Sequence, residues 1–129
     1  MKRNFRLTRS ADFMRVRNSG KSYAHPLVVL VAIPSTTLRA SPATENRSQE
    51  GLPSRVGVTA GRSVGGAVQR NRAKRLLREA MRMLLPTIRP GWDLILIARQ
   101  PLPEATYQQV QAALSQLMRR ADLFAPQQA

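Results

Sequence analysis

The sequence predicts a single α+β domain whose elements run helix, two or three strands, helix, strand, helix. Three short apolar or alternating segments are typical of strands, namely "LVVLVAI" from Leu27, "SRVGVTAG" from Ser54 and "WDLILIAR" from Trp92. Segments with apolar residues at helical spacing lie before, between and after them. At 129 residues the chain suits one domain, 1–129, with a modest hydrophobic core.

The first helix is predicted to begin near Ser10, which is a favourable N-cap residue, and to end at "NSG", residues 18–20. Phe13 and Val16 share one face of it. The other face carries arginines, namely Arg9, Arg15 and Arg17. This helix therefore combines an apolar and a cationic side.

Two segments are expected to lie outside the core. Residues 35–53 are rich in Ser, Thr, Pro and small residues, which is typical of a mobile loop inserted between two strands. Residues 125–129, "APQQA", are expected to form a frayed tail.

A last helix is predicted to precede that tail. Thr106 and Gln109 have the spacing of a capping box, which predicts the start of this helix, and an apolar stripe follows.

The central helix is predicted from the paired glycines at 65 and 66 to about Leu84, before Pro86. At about 100° per residue, an apolar arc suited to packing on a sheet contains Ala73, Leu76, Leu77, Ala80, Met81 and Leu84. The opposite arc is assigned Arg70, Asn71, Lys74, Arg75, Arg78 and Arg82, with Arg72 at its far edge. One helix is thus expected to anchor itself in the core and present cations to solvent.

Positive charge is the strongest compositional signal. The chain holds 21 Lys and Arg against 7 Asp and Glu, a formal net charge of +14. Like charges four residues apart destabilise a helix by about 0.2–0.5 kcal/mol per pair, so a polyanionic partner is expected. Nucleic acid is the first candidate because arginine suits bidentate phosphate contacts, and an anionic membrane surface is the other.

Composition also excludes several classes of site. Without cysteine there are no disulfides or thiolate metal sites, and His25 is the single histidine, so a zinc site is not expected. No signal-peptide pattern follows the basic N-terminus, and the longest apolar run, residues 27–33, is too short to span a bilayer. A cytoplasmic location, without membrane association, is the expectation.

At the central helix the sequence resembles the protein subunit of bacterial ribonuclease P. That family carries an Arg-Asn-Arg signature, matched here by Arg70, Asn71 and Arg72 and continued as "AKRLLREA". The resemblance extends to the basic start "RLTRSADFMRV", the approach "RVGVTAGRSVGGAVQ", the strand "DLILIARQP" and the last amphipathic helix, all in family order. A lone tripeptide would be weak evidence, but the ordered set is specific.

The resemblance implies an α/β sandwich, ordered helix-strand-strand-strand-helix-strand-helix, with a mixed central sheet and a left-handed βαβ crossover. It also implies a ribonucleoprotein endonuclease in which the catalytic RNA subunit, with Mg²⁺ held mainly by RNA and substrate, removes the 5′ leader of precursor tRNA. The protein is the accessory subunit, with no catalytic residue and no metal ligand of its own. No obligatory protein partner is expected.

Carried onto this chain, the family's RNA-binding surface corresponds to Arg62, Arg70, Asn71, Arg72, Lys74, Arg75 and Arg78. The family's leader cleft corresponds to Arg9, Phe13 and Arg17. The chain departs from the family here, because Arg17 stands where a second aromatic is common and Val31 where a strand tyrosine is common. The resemblance therefore implies a more electrostatic cleft, with affinity that falls more steeply as salt rises.

Three other functions are weighed against this one. A ribosomal or architectural RNA-binding protein explains the charge equally well, but it has no need of a leader cleft. A protein-only nuclease needs clustered acidic metal ligands, whereas the seven acids of this sequence are scattered among different predicted elements. A membrane-surface protein needs a basic helix whose apolar face is free, and here that face is expected to lie in the core.

Overall fold

The computed structural model describes residues 10–34 and 54–124, with side chains in the first helix described from Met14 onward. The helices are α1 (Ser10–Ser19), α2 (Ala67–Leu84) and α3 (Tyr107–Arg120). The strands are β1 (Lys21–Ala24), β2 (Val28–Pro34), β3 (Arg55–Ala60) and β4 (Trp92–Ala98). Short 3₁₀ turns occupy Arg62–Val64, Leu85–Thr87 and Leu102–Glu104. The predicted loop at 35–53, the predicted tail at 125–129 and Arg9 lie outside the described residues.

The four described strands form one mixed sheet in the order β1-β2-β4-β3. β2 is antiparallel to β1 and β4, whereas β3 is parallel to β4, so α2 joins two adjacent parallel strands. The predicted α+β class, element order and mixed sheet are confirmed. The left-handed sense of the β3-α2-β4 crossover stays a prediction from the family resemblance.

β1 is the strand that the apolar patterns did not locate. Three of its four residues are exposed, and only Tyr23 is half-buried, so no alternation of apolar and polar residues marks it. Its pairing with β2 creates the strand, and the turn at His25 and Pro26 sets the register, which places Tyr23 opposite Leu30. Three strands therefore precede α2 within the described residues.

The alternation of side chains along the strands gives the sheet two apolar faces. One face packs against α2 and α3, and its buried core includes Leu30, Leu77, Leu94, Leu96 and Leu114. The other face packs against α1, where Val16 contacts a cluster made by Val31, Ile33 and Ile95. The described residues thus form three layers, with one helix on one side of the sheet and two on the other.

The helices α2 and α3 begin differently. In α3, Thr106 Oγ1 accepts the N–H of Gln109 (3.2 Å) while Gln109 Oε1 accepts the N–H of Thr106 (2.9 Å), which confirms the predicted capping box. In α2, the N-cap residue is Gly66, no side chain caps the helix, and the first turn holds no acid. The start of α2 therefore leaves backbone N–H groups open to an external acceptor.

Candidate nucleic-acid interface

The apolar stripe of α2 anchors this helix in the core as predicted. Ala73, Leu77, Ala80 and Met81 are buried, and Leu76 and Leu84 pack against the same core while partly buried. The stripe lies over β3 and β4, and one flank of the helix contacts α3. Because the inner side of α2 is fixed in this way, its opposite side faces outward.

The outer side of α2 carries a continuous group of cationic and amide side chains. Asn71, Arg72 and Arg75 are exposed, and Lys74 and Arg78 are half-buried. We call these five residues the α2 basic surface. Apart from Arg72 they line one shared depression together with Glu79. Glu79 also accepts a hydrogen bond from Arg82 (3.1 Å), one turn nearer the C-terminus.

Arg70 does not lie where the sequence analysis placed it. It is half-buried, and its Nε atom is shielded from solvent without a hydrogen-bond partner. At 100° per residue Arg70 falls between Leu77 and Met81 rather than opposite them, so it belongs to the flank of the buried stripe. The assignment of Arg70 to the solvent arc is therefore corrected, and its role in RNA binding stays a prediction.

Arg72 is held by the protein at one end of its guanidinium group. Its Nε donates to the backbone carbonyl oxygen of Pro103 (2.7 Å), in the 3₁₀ turn that precedes α3. The residue as a whole remains exposed. The bond at Nε restricts the orientation of the guanidinium and leaves its terminal nitrogens without a bond to Pro103. Two residues of the signature, Arg70 and Arg72, thus have polar atoms turned toward the protein, whereas Asn71 is exposed.

Arg62 lies in the turn Arg62–Val64, which leads directly into α2, and its side chain is exposed. The turn ends at Gly65, whose φ of 137° is accessible to glycine but strained for other residues. A Cβ atom at Gly65 would also lie 2.9 Å from Cγ of Gln69 in the first turn of α2. Gly65 therefore permits the chain to pass from the turn that contains Arg62 into the start of α2.

The second predicted surface, beside α1, is described in part. Arg17 is exposed, as expected, whereas Phe13 lies in the helix but its side chain is outside the described part of the structure. Val31 is only 3% exposed, because it packs beneath Val16 of α1. The residue in place of the family tyrosine is therefore covered by the helix rather than open to a ligand.

Sequence reasoning did not identify the residues that form the open part of this sheet face. Val29 and Ile97 face the same side as Val31 but are only partly buried, and the register places them opposite each other on β2 and β4. Strand alternation could have shown that they share this face, but not that they are only partly buried, because burial depends on contacts with other segments. They give the open sheet face an aliphatic floor.

A buried ion pair supports this side of the sheet. Asp93 is completely buried, and its two carboxylate oxygens accept hydrogen bonds from Nε (3.0 Å) and Nη2 (2.8 Å) of Arg55. The two residues are partners in the parallel β3–β4 ladder. This bidentate arrangement joins neighbouring parallel strands, and removal of one partner would leave the other charge buried.

A depression of about 660 Å³ joins the open sheet face to the approach to α2. It is lined by Ile97 and Arg99 at the end of β4 and by Ser63 in the turn before α2. This depression therefore lies between the two predicted binding surfaces, and Arg99 gives it positive charge.

Within residues 10–34 and 54–124, no three His, Cys, Asp or Glu side chains are grouped so as to hold a metal ion. Over the same residues, no helix has the length and apolar character needed to cross a membrane.

Comparisons with known proteins identify relatives along almost the whole chain. The family model described as Ribonuclease P matches residues 1–122. The Ribonuclease P protein component of Herpetosiphon aurantiacus is 41% identical over 124 residues, covering 96% of this chain and 89% of the relative. The RNase P protein of Staphylococcus aureus superposes with a TM-score of 0.73 at 29% identity, covering 94% and 98% of the two chains. The RNase P protein of Thermotoga maritima gives 0.69 at 28% identity, covering 89% and 96%.

Proposed function

The chain belongs to the ribonuclease P protein family, and on that premise we propose that it binds the catalytic RNA through the α2 basic surface and the 5′ leader of precursor tRNA beside α1. The RNA subunit carries out the endonucleolytic hydrolysis that gives the mature tRNA 5′ end. The protein acts by binding and positioning RNA. The observation that carries the proposal is the α2 basic surface on a helix whose apolar stripe is buried in the core.

Electrostatics favours a polyanionic partner at this surface. Within this surface Lys74 and Arg78 lie four residues apart, and such a like-charged pair costs about 0.2–0.5 kcal/mol of helix stability. Phosphate groups remove that repulsion, and each phosphate neutralised releases condensed counterions. A surface that destabilises the free protein slightly thus becomes favourable in the complex.

Two residues of the signature, Arg72 and Asn71, offer different hydrogen-bonding groups to RNA. Arg72, preset by its bond to Pro103, offers two terminal nitrogens suited to a phosphate or a guanine edge. Asn71 is exposed and adds both an acceptor and donors on a short side chain, which guanidinium groups cannot provide. The surface can therefore recognise a folded RNA by directed hydrogen bonds as well as by charge.

The leader is proposed to lie on the open sheet face beside α1. Val29 and Ile97 provide an aliphatic floor that contacts bases without reading their edges. Arg17 is exposed at the rim, where its guanidinium can stack on a base or bind phosphate. Such a surface tolerates many leader sequences, as an enzyme that processes many precursors requires.

Magnesium enters the proposal through RNA rather than through this chain. The described residues contain no cluster of metal ligands, so they do not fit a protein-held Mg²⁺ site. When bound to RNA and substrate, Mg²⁺ supplies charge stabilisation and activation of water. The contribution of the protein is its cationic surfaces.

Reconstitution of cleavage tests the proposal. Purified protein alone should leave precursor tRNA intact, and addition of the catalytic RNA at low magnesium concentration should restore cleavage at the 5′ end of the tRNA. Cleavage by the protein without RNA would contradict the assignment of chemistry.

Leader length separates this proposal from an architectural RNA-binding role. Arg17→Gln should weaken binding of precursors with long leaders several-fold and leave binding of mature tRNA unchanged. As a matched control, Arg119→Gln removes an exposed arginine from α3, on the other side of the sheet. Equal affinity for precursor and mature tRNA in the wild-type holoenzyme would favour the architectural role.

A further inference from the structure

A groove lies between α3 and the β1–β2 turn, and it shares Pro101 with the depression at the end of β4. Its volume is about 480 Å³, within the range of about 300–1,000 Å³ that is typical of small-molecule sites. We call it the α3 groove. Its apolar walls are formed by Leu27, Pro101, Ala105, Ala112 and Ala113, and its polar groups belong to His25, Glu104, Gln109 and Gln116.

Two of the polar groups have a fixed hydrogen-bonding direction. Nδ1 of His25 accepts the N–H of Leu27 (3.1 Å), so the neutral ring carries its proton on Nε2 and offers a donor there. Oε1 of Gln109 accepts the N–H of Thr106 in the capping box, which leaves the Nε2 amide protons of Gln109 as donors. The groove therefore has donors whose orientation is set by the backbone.

The acceptor in the groove is a carboxylate. Glu104 is exposed, and no ion pair involves it within the part of the chain that the structure describes. Gln116 adds an amide with both a donor and an acceptor. A carboxylate beside directed donors is complementary to a flat group that carries an amine next to a ring acceptor, as adenine, guanine and cytosine do.

Guanidinium groups flank the same turn on two sides. Arg99 donates to the carbonyl oxygen of His25 (3.4 Å), and Arg120, at the end of α3, donates to that of Ala24 (2.7 Å). Both arginines are exposed, so each retains nitrogens that can bind phosphate. Apolar walls with a polar edge suit a base, and cationic rims suit its phosphates.

We propose that the α3 groove binds one unpaired nucleotide of RNA, with an amine-bearing base between the apolar walls and its phosphate at the arginine rim. This inference rests on the proposed function, because it adds a third RNA contact to the α2 basic surface and the proposed leader surface. It gives the holoenzyme a contact that the α2 basic surface does not reach.

Nuclear magnetic resonance of the isotope-labelled full chain tests the groove directly. Titration at low ionic strength with GMP, AMP or CMP should shift the backbone amide signals of Ala105, Gln109 and Ala113 in a saturable way. UMP, which lacks the exocyclic amine, should bind about tenfold more weakly. Inorganic phosphate should leave these signals unchanged. Shifts confined to the α2 basic surface, or equal shifts with phosphate alone, would overturn the inference.

Variants provide matched controls. Ala112→Leu should fill the groove and abolish the shifts, whereas Gln108→Leu, at an exposed position of α3 that does not line the groove, should preserve them. Glu104→Gln should reduce the difference between CMP and UMP. Unchanged binding in Ala112→Leu would overturn the proposal. Groove signals that move on dilution of the protein alone would assign the groove to a second copy of this chain and also overturn it.

Assembly with the catalytic RNA, measured on the same samples, separates the two proposals. An RNA complex in which the groove signals stay unchanged would overturn the nucleotide site and leave the proposed function intact. Nucleotide binding in the groove without RNA assembly would overturn the proposed function and leave the site intact.

Discussion

The helices α2 and α3 lie side by side on one face of the sheet, yet their outer sides differ. Both bury an apolar stripe in the same core. The exposed side of α3 is mostly glutamine and alanine over its first three turns, and its N-terminus is closed by a capping box. α2 has no side-chain cap, no acid in its first turn, and successive cations on its outer side. The exposed residues of α3 therefore favour a stable helix, whereas those of α2, with no cap and with successive like charges, destabilise it.

The difference between the two helices indicates that function lies on the outer side of α2. Violations of local rules in a well-packed protein are expected at functional sites, because the cost is offset when the partner binds. Here every violation in α2 has the same sign, an excess of positive charge and of open N–H groups. Each is corrected by the same kind of partner, a polyanion.

The largest expected effect concerns the inner sides, where the two helices should behave alike. Leu77 of α2 and Leu114 of α3 are both fully buried. We expect Leu77→Ala and Leu114→Ala each to lower the free energy of unfolding by about 2–5 kcal/mol, because each leaves a cavity. Urea denaturation measures both. A cost well below this range for Leu77→Ala alone would show that α2 is not anchored as the structure indicates.

Arg72 ties α2 to the 3₁₀ turn before α3, and a change of side chain at constant charge isolates that bond. Lysine has no Nε–H in the place of the arginine Nε, so Arg72→Lys should lose the contact with Pro103 and about 1–2 kcal/mol of stability. RNA assembly should weaken as well, since the preset guanidinium is lost. Arg75→Lys is the control, and it should change neither quantity much. Equal losses of stability and of RNA assembly in the two variants would show that Arg72 contributes only its charge.

The helix starts allow a smaller and more selective test. Thr106→Ala should remove the cap of α3 and cost about 1 kcal/mol of stability. Gly66→Asp should do the reverse for α2, adding a cap and an acid and gaining a few tenths of a kcal/mol. A Cβ at Gly66 meets no atom within 4 Å, so the substitution is sterically permitted. Thermal unfolding measures both changes.

The two changes should differ in their effect on assembly with RNA. Gly66→Asp should weaken assembly with the catalytic RNA although the free protein is more stable, because the new carboxylate competes with phosphate. Thr106→Ala should leave assembly unchanged at temperatures where the protein stays folded. Stronger assembly in Gly66→Asp would contradict a phosphate-binding role for the start of α2.

Much of this fold could be predicted because its elements are strongly patterned. The stripe of α2, the capping box at Thr106 and the apolar strands at Val28 and Leu94 are local signals, and the structure confirms each. β1 was not located, since its strand character depends on pairing with β2 rather than on its own residues.

The candidate site could be predicted only where side-chain direction follows from helix periodicity. Asn71, Lys74, Arg75 and Arg78 face outward as expected, but Arg70 was misplaced, since periodicity itself puts it between the buried residues Leu77 and Met81. The Arg72 bond to Pro103 and the burial of Val31 under α1 depend on contacts between distant segments. Contacts between distant segments do not produce a periodic pattern, so a single sequence does not reveal them.

The salt dependence of assembly with the catalytic RNA tests whether α2 binds the RNA backbone. Arg75→Gln and Arg119→Gln each remove one exposed arginine, the first from the outer side of α2 and the second from α3. We expect Arg75→Gln to weaken assembly and to reduce the slope of log K against log salt by about 0.7–0.9, the effect of one lost phosphate contact. Arg119→Gln should leave the slope unchanged. Identical slopes for wild type and Arg75→Gln would contradict the claim that α2 binds the RNA backbone.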